Sequence, residues 1–255
     1  MEHITSRHNP LMGHIRRLAG SAAYRWETGE FLCDSPKLLQ EADLWGATVR
    51  TVLFTEGTRL PPFADAGTRL VQVSESVMEA VSPMQTPQGV VFSCLMGGDE
   101  PPARLEPGRY LLLEGVQDPG NVGTILRTAD AFDASGLFLL EGCADLYNPK
   151  TVRATMGAIF RQRVLELPLA ELRAALDENG LPLYGAALSE TARDFREIPL
   201  DKAAVAVGSE GNGLSTELLA ICDGQLIIPM RPDSESLNAG VAASVIMWEM
   251  SRGSL

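Results

Sequence analysis

Residues 112–127 read LLEGVQDPGNVGTILR and join an apolar strand to a helix through a tight turn. The Asp-Pro-Gly sequence that begins at Asp118 is typical of a turn, because its glycine lets the backbone bend sharply. Asn121 is a favourable N-cap residue, so the pattern predicts a helix over residues 121–132. Arg127 follows six residues later and is predicted near the same end of that helix. A capped helix with a surface arginine would also explain the spacing.

Strands and helices alternate from this stretch to the C-terminus. Apolar runs predict strands over residues 110–113, 137–140, 163–165, 183–187, 203–207 and 225–228. Helical spacing and capping residues predict helices over residues 121–132, 148–159, 168–179, 214–221 and 236–251. This order predicts an α/β fold with a parallel sheet that is covered on both faces. Ligands of such sheets bind beyond the carboxyl ends of the strands.

A break rich in Pro and Gly separates this part of the chain from a smaller N-terminal module. Residues 96–108 read MGGDEPPARLEPG, a composition typical of a linker. The sequence therefore predicts domains over residues 1–97 and 109–255, with a linker over residues 98–108. The first domain is predicted to be a small α/β module, with strands over residues 31–33, 49–54, 69–73 and 90–95 and helices over residues 10–23, 35–44 and 74–81.

Two further stretches carry polar residues and glycines directly after predicted strands. Residues 205–214 read VAVGSEGNGL, where three glycines surround Glu210. Such a loop suits a nucleotide or another flat ligand, although a tight strand-to-helix turn would have the same composition. It contains neither G-x-G-x-x-G nor the Gly-Lys-Ser/Thr of a P-loop. Residues 226–243 read LIIPMRPDSESLNAGVAA, where Ser236 and Asn238 open a helix of small residues. A capped, closely packed terminal helix is the alternative interpretation.

In this order, the three stretches resemble the SpoU family of RNA 2′-O-ribose methyltransferases, within the knotted SPOUT superfamily. The matching patterns are Asn121-x-Gly123-x-x-x-Arg127, Gly208-Ser-Glu210-Gly-x-Gly213-Leu, and Ile228-Pro-Met230 followed by Ser236-Leu-Asn238. Residues 148–158, NPKTVRATMGA, are also similar to this family. The resemblance covers about residues 106–255. It implies a C-terminal SPOUT domain with a deep trefoil knot, and a homodimer formed through that domain.

The resemblance also implies a reaction and its residues. The cofactor would be S-adenosylmethionine, and no metal would be needed. Arg127 would stabilise the developing alkoxide at the ribose hydroxyl, since a guanidinium with a pKa above about 12 is a poor base. Asn121 and Glu210 would orient Arg127 and the ribose, while Ser236 and Asn238 would complete the pocket. The cofactor-binding residues implied by the family pattern are Gly208, Ser209, Glu210, Gly211, Gly213, Ile228, Pro229, Met230, Ser236, Leu237 and Asn238.

The first domain is similar to the family's N-terminal substrate-binding domain, which has a fold like ribosomal protein L30e. The residues that carry this likeness are Thr5-Ser-x-x-Asn9-Pro, Phe31-Leu and the helix over residues 38–42. The usual Lys/Arg-rich helix is replaced here by LAGSAA, residues 18–23, and Asp34-Ser35 follows the strand. The resemblance implies that residues 1–97 form an RNA substrate-binding domain, and these departures bear on its RNA affinity and target choice more than on the chemistry.

The bulk composition limits the other possibilities. The formal net charge of −12 counts against a nucleic-acid partner, but residues 1–60 hold seven basic and seven acidic side chains and are neutral. The four cysteines are far apart, and all three histidines lie in the first 14 residues, so neither a disulfide framework nor a metal site is predicted. The sequence also shows no membrane span and no signal peptide, so a cytoplasmic protein is expected.

Three other hypotheses compete with that of an enzyme acting on ribosomal RNA. A tRNA methyltransferase would carry the same motifs, and the extra N-terminal domain favours ribosomal RNA only by family habit. A non-catalytic RNA-binding paralogue should have lost Asn121, Arg127, Glu210 or Asn238, and all four are present. A Rossmann-type oxidoreductase should show G-x-G-x-x-G after its first strand, which the Asp-Pro-Gly-Asn turn does not fit.

Overall fold

The computed structural model describes residues 2–62, 67–97, 105–166, 168–231, 233 and 236–253. The chain forms two compact units, one of Met1–Gly98 with Asp145–Arg161 and the other of Asp99–Ala144 with Gln162–Leu255. The unit that begins with the first 97 residues also includes Asp145–Arg161, a segment within the predicted second domain. Most of the predicted linker, residues 98–104, lies outside the described residues.

The first unit contains a mixed sheet. Its strands are β1 (Glu2–Ile4), β2 (Glu30–Asp34), β3 (Val49–Phe54), β4 (Arg69–Val73) and β5 (Val90–Leu95), and its first helices are α1 (Pro10–Gly20), α2 (Ala22–Thr28), α3 (Pro36–Leu44) and α4 (Glu75–Val81). The strand order is β1-β4-β3-β5-β2, with β5 antiparallel to both of its neighbours and the other pairs parallel. Strand β1 has no counterpart in the sequence prediction.

The predicted helix over residues 10–23 is wrong in one respect, because it is interrupted at Ser21. This residue is extended (φ −130°, ψ 112°), and its side chain accepts a hydrogen bond from the backbone N–H of Tyr24, which caps α2. Serine competes well for this capping position, so the chain starts a second helix instead of continuing the first. The predicted N-cap of α3 is confirmed, since the Ser35 side chain accepts from Leu38 N–H and Pro36 is the first helical residue.

The strands and helices that follow residue 108 alternate along the chain. All of them belong to the second unit except the helix within Asp145–Arg161. In chain order the elements are β6 (Arg109–Leu113), α5 (Pro119–Ala131), β7 (Gly136–Leu139), α6 (Pro149–Ala154), β8 (Val164–Glu166), α7 (Leu169–Glu178), β9 (Leu183–Ala186), β10 (Arg193–Asp194), β11 (Ala203–Val207), α8 (Thr216–Ala220), β12 (Gly224–Ile227) and α9 (Ala239–Ser251). Seven of the described strands form a sheet in the order β10-β12-β9-β11-β6-β7-β8, and every neighbouring pair is parallel. The predicted α/β fold with a parallel sheet is confirmed.

The central strands of this sheet are buried along their whole length because both faces are covered, and Arg109 at the start of β6 is their one charged residue. All five residues of β6 and of β11 are buried, as are all four of β7. Helix α9 packs against α5, β6 and β11. The fold therefore places the carboxyl ends of β6, β11, β9 and β12 side by side at one edge of the sheet.

The segment Asp145–Arg161 packs within the first unit through charged and aromatic side chains. Arg25 donates to Asp145, Arg153 donates to Asp34, and Arg161 donates to Glu41 at 2.7 Å. Arg25 is only 3% exposed, so the loss of Asp145 would leave a buried charge unpaired.

The helix predicted over residues 148–159 is wrong beyond Ala154. Met156 (φ 52°) and Gly157 (φ 102°) have left-handed backbone conformations, which end α6. A short 3₁₀ turn, Ala158–Phe160, follows.

Candidate active site

The carboxyl edge of the parallel sheet brings the sequence motifs together around one cavity. The loop that follows β11, residues 208–214, is called the glycine loop below. It forms one wall of a cavity of about 410 Å³. The other walls come from residues 186–188 at the end of β9, residues 227–228 and Met230 at the end of β12, and residues 236–237 with Ala239 and Ala242. The walls are mostly apolar side chains and main chain, a composition typical of a small-molecule site.

Most of the residues expected to bind a cofactor line this cavity. They are Gly208, Ser209, Glu210, Gly211, Gly213, Ile228, Met230, Ser236 and Leu237, while Pro229 and Asn238 are not among the lining residues. The sequence analysis missed Ala186, Ala187 and Leu188 and the helix residues Ala239 and Ala242, which also line it. The signal that could have found the first three is their place at the carboxyl end of a strand of the same sheet.

The glycine loop is folded tightly on itself. Gly213 N–H donates to Ser209 O at 2.9 Å, and Asn212 N–H donates to Ser209 Oγ at 3.2 Å. A Cβ atom on Gly208 would lie 2.1 Å from the carbonyl oxygen of Gly213, so glycine is required there. Gly213 itself has a φ of 67°, in the left-handed region that favours glycine. The loop is thus a strand-to-helix turn and a cavity wall at once.

Beside the cavity, Asn121, Glu210 and Asn238 form a hydrogen-bonded group, called the polar cluster below. Glu210 Oε1 accepts from Asn121 Nδ2 at 2.6 Å, from Asn238 Nδ2 at 3.0 Å and from Ala239 N–H at 3.2 Å. Asn238 Nδ2 also lies 3.2 Å from Asn121 Oδ1. Within the described residues, Glu210 Oε2 accepts no hydrogen bond, so it can receive a donor from a ligand.

The role of Asn121 as an N-cap is a prediction that the structure contradicts. Helix α5 begins two residues earlier, at Pro119, and its cap is Asp118, which accepts from the backbone N–H groups of Gly120 (2.6 Å) and Asn121 (3.1 Å). Aspartate is as good a cap as asparagine, and a proline at the first helical position favours the earlier start. The Asn121 side chain is thereby free to reach Glu210.

Asn238 does have a capping role, and it shortens the helix predicted from residue 236. Its Oδ1 accepts from Gly240 N–H at 3.0 Å and Val241 N–H at 3.3 Å, so α9 begins at Ala239. A Cβ atom on Gly240 would lie 3.1 Å from Asn238 Oδ1 and 3.5 Å from Asn121 Oδ1. Because Gly240 has no side chain, helices α5 and α9 approach closely enough for Asn121 and Asn238 to reach Glu210.

Arg127 lies apart from the polar cluster, contrary to the expectation that Asn121 and Glu210 orient it. It is the ninth of the 13 residues of α5, in the second half of the helix. Six residues of α-helix advance about 9 Å and turn about 240° from Asn121, so the two side chains point to different faces. Arg127 is exposed, and among the described residues it makes no hydrogen bond or ion pair.

The cysteines of this unit are unsuited to nucleophilic chemistry. Burial raises the pKa of the Cys143 thiol, and burial with the nearby Asp223 carboxylate raises the pKa of Cys222 to about 11. In the described part of the chain, no group of three or more His, Cys, Asp or Glu side chains could hold a metal ion. The expectation that no metal takes part stays a prediction. Also within the described residues, no helix has the length and hydropathy of a membrane span.

Comparison with known proteins places the chain in a family. Residues 108–248 match the SpoU rRNA Methylase family, and residues 9–91 match the MRM3-like substrate binding domain. The chain is 35% identical over 228 residues to the 23S rRNA (guanosine(2553)-2′-O)-methyltransferase RlmP of Bacillus subtilis, covering 89% of this chain and 90% of that protein. It is 30% identical over 268 residues to the 23S rRNA (uridine(2479)-2′-O)-methyltransferase of Streptomyces viridochromogenes, covering 98% and 91%.

A solved structure agrees with these relatives. The AdoMet-bound rRNA methyltransferase of Sinorhizobium meliloti superimposes with a TM-score of 0.87 at 28% identity, over 100% of this chain and 98% of that one. AdoMet is S-adenosylmethionine, the cofactor expected from the sequence motifs. The family match spans more than half of the chain, and the relatives align over almost all of it. The protein therefore belongs to the SpoU rRNA methylase family.

Proposed function

We propose that this protein transfers a methyl group from S-adenosylmethionine to a ribose 2′-hydroxyl of ribosomal RNA. The observation that carries the proposal is the polar cluster, which three separate motifs assemble beside a cavity of cofactor size. Relatives that align over about nine-tenths of the chain or more are named as 23S rRNA 2′-O-methyltransferases. They act on a guanosine and on a uridine, so the family does not by itself specify the base.

The cavity fits S-adenosylmethionine in size and chemistry. Its volume of about 410 Å³ is in the range of small-molecule sites, and its apolar walls and exposed main chain suit an adenosine. When bound, the cofactor supplies a methyl group already activated by its sulfonium. The glycine loop and residues 228–230 would enclose the cofactor, with Leu237 as an apolar contact, while the polar cluster at the rim would bind the ribose.

The protein's own part in the reaction is to bind, orient and stabilise. Glu210 Oε2 can accept a hydrogen bond from a ribose hydroxyl, and Glu210 Oε1 is held by Asn121 and Asn238. The positive charge of the Arg127 guanidinium would stabilise the negative charge that develops on the 2′-oxygen. A phosphate of the RNA could share the proton that leaves.

We further propose a homodimer in which Arg127 serves the polar cluster of the partner. The face of α5 and α9 beside that cluster forms an open groove lined by Asn121, Thr124, Phe132, Asn238, Gly240, Val241, Ser244, Val245 and Trp248. Trp248 is 57% exposed and Val241 48%, which is much apolar surface for helices that already pack on a core. A second copy on this face would cover the groove and could supply the missing cation.

Mixing two inactive variants tests this arrangement. Arg127→Ala and Glu210→Ala, combined after unfolding and refolding together, should regain about a quarter of the wild-type sites if each site takes one residue from each copy. Each variant refolded alone is the control. A mixture no more active than its components would show that Arg127 acts within its own chain, and a monomer by light scattering would reject the dimer.

Several expectations from the sequence analysis stay proposals. They are the deep trefoil knot of the second unit, RNA binding by the domain over residues 1–97, the boundary at residue 109, and a cytoplasmic location. The match of residues 9–91 to a substrate binding domain supports the second of these. The exposed Leu44 and Trp45 of the first unit offer apolar surface on which an unpaired base could stack.

The decisive assay uses purified protein, methyl-labelled S-adenosylmethionine and unmodified RNA. We expect label in alkali-resistant dinucleotides from ribosomal RNA and its loss in Arg127→Ala. Label on tRNA transcripts alone would favour the tRNA enzyme. Cofactor binding without label on naked RNA, but with label on immature ribosomal particles, would identify the particle as substrate, which the net charge of −12 makes worth testing. Absence of both label and cofactor binding would favour the non-catalytic paralogue.

A further inference from the structure

A residue of the stretch 112–127 that lies outside the three matching patterns holds both ends of the glycine loop. Glu114 follows β6 directly, and its backbone N–H donates to Val207 O, the last residue before the loop, at 3.1 Å. Its carboxylate reaches the residue that follows the loop, Ser215. Oε2 accepts from Ser215 N–H and Oε1 accepts from Ser215 Oγ, both at 2.7 Å.

Ser215 links this contact to the next helix. Its Oγ accepts from Leu218 N–H at 3.0 Å and so caps α8. A hydroxyl can donate once and accept at the same time, and Ser215 uses both capacities here. Glu114 therefore fixes the point at which the glycine loop becomes a helix.

The loop needs such an attachment because its sequence gives it little rigidity. Glycines lose the most conformational freedom on folding, and three of the seven residues in the loop are glycines. Within the loop, Glu210 accepts hydrogen bonds from Asn121 and Asn238, and Ser209 pairs with Gly213. Among the contacts of the described residues, only those of Glu114 join the two ends of the loop, through Val207 and Ser215.

We propose that Glu114 is a positioning residue for the cofactor, acting through Ser215 to preorganise the glycine loop before S-adenosylmethionine binds. This inference rests on the proposed function, because it assumes that the cavity is the cofactor site. Hydrogen bonds to a charged acceptor are short and strong, and two of them on one serine define its position. A preformed loop lowers the ordering cost of binding, so its loss should weaken cofactor affinity more than it weakens the fold.

The test measures cofactor affinity, loop protection and stability in the same variants. For Glu114→Ala and Ser215→Ala we expect the Kd of S-adenosylmethionine by calorimetry to rise about tenfold, with faster amide exchange in residues 208–215 of the cofactor-free protein. Glu114→Gln keeps one acceptor and should show a smaller rise. Ser215→Thr keeps the hydroxyl and the N–H and should bind nearly as wild type. The double variant should bind no worse than Glu114→Ala alone, because that substitution already removes both hydrogen bonds to Ser215.

The matched control is Asp223→Asn, at the other edge of the same sheet. Asp223 Oδ2 also accepts a backbone N–H at 2.7 Å, from Leu183, but it lies at the amino end of the strands. This variant should lose stability without a change in Kd. Wild-type affinity in Glu114→Gln and Ser215→Ala, or additive losses in the double variant, would overturn the inference even if Glu114→Ala fails to fold. A wild-type protein that does not bind the cofactor at all would instead reject the proposed function.

Discussion

The two edges of the parallel sheet are built from different kinds of contact. At the carboxyl edge, a tightly bent glycine loop lines a cavity with the polar cluster beside it, and Arg127 has no partner among the described residues. At the amino edge, side chains pair with each other and with the ends of strands, as Asp223 does with Leu183 N–H and with Arg173 at 3.0 Å. The difference teaches that substitutions at the first edge should cost binding or turnover, and substitutions at the second should cost stability.

The largest effect is expected from Gly208→Ala. The added Cβ would meet a backbone oxygen at 2.1 Å, which a side-chain rotation cannot relieve, so the glycine loop must move out of its present path. We expect binding of S-adenosylmethionine to fall by about 100-fold or more and the protein to lose roughly 1–3 kcal/mol of stability. Calorimetry and thermal unfolding give both numbers.

Gly211→Ala is the control for stability, because a Cβ there has no atom within 4 Å. Its melting temperature should stay within a degree or two of wild type, as for most exposed sites (within about 0.5 kcal/mol). A Gly208→Ala protein with unchanged cofactor affinity would show that the loop is not a cavity wall in solution.

Arg127→Ala should lower kcat by about 10²–10³-fold while leaving the Kd of S-adenosylmethionine unchanged. The reason is that a cation which stabilises the developing alkoxide contributes mainly in the transition state. Its exposed position predicts little change in melting temperature. Single-turnover kinetics with saturating RNA measure the effect. Arg127→Lys should recover part of the rate, and a variant that instead loses cofactor affinity would assign Arg127 to binding.

Glu210→Gln should give a smaller loss, about tenfold in kcat/KM. The amide oxygen can still accept from Asn121 and Asn238, but without the charge that strengthens those bonds. Adding Asn121→Ala tests whether the polar cluster acts as a unit. The double variant should then be less impaired than the product of the single losses, with a coupling of about 0.5–3 kcal/mol. Multiplicative losses would mean that the two residues act separately.

The smallest effect is expected from a substitution at the amino edge of the parallel sheet. Asp223→Asn should reduce the free energy of unfolding by about 1 kcal/mol at neutral pH, because the carboxylate is half-exposed. Burial raises the pKa of Asp223, but the hydrogen bonds from Leu183 N–H and Arg173 together lower it below its ordinary value of 3.8.

The sign of the pH dependence follows from that lowered pKa. The stabilisation by Asp223 is fully present above the unfolded-state pKa near 3.8 and is lost as the pH falls through the lower folded-state value. The stability difference between wild type and Asp223→Asn should therefore be constant above about pH 5 and shrink in more acidic solution. Urea unfolding at several pH values measures it, and a difference that grows on acidification would contradict the assignment.

Local pattern was enough to predict most elements of the second unit. Strand β11 and helix α7 fall within a residue of their predicted bounds, since a continuous apolar run and an amphipathic repeat are local properties. Strand β10 was missed because two residues carry no periodicity. The start of α5 was misplaced because Asp118 and Asn121 are both good caps, and a choice between them depends on which side chain has another partner.

By itself the sequence determined the fold class and the motifs, because capping, glycine turns and apolar runs act over a few neighbouring positions, and the resemblance of those motifs to a known family singled out the residues that form the polar cluster. Only the tertiary structure decided which of these residues meet. Asn121 and Glu210 are 89 positions apart and touch, whereas Asn121 and Arg127 are six apart and do not. The same holds for Glu114 and Ser215, which lie 101 positions apart and meet at the edge of one sheet. The physical reason is that parallel strands align their carboxyl ends whatever length of chain separates them, while a helix turns close neighbours to different faces.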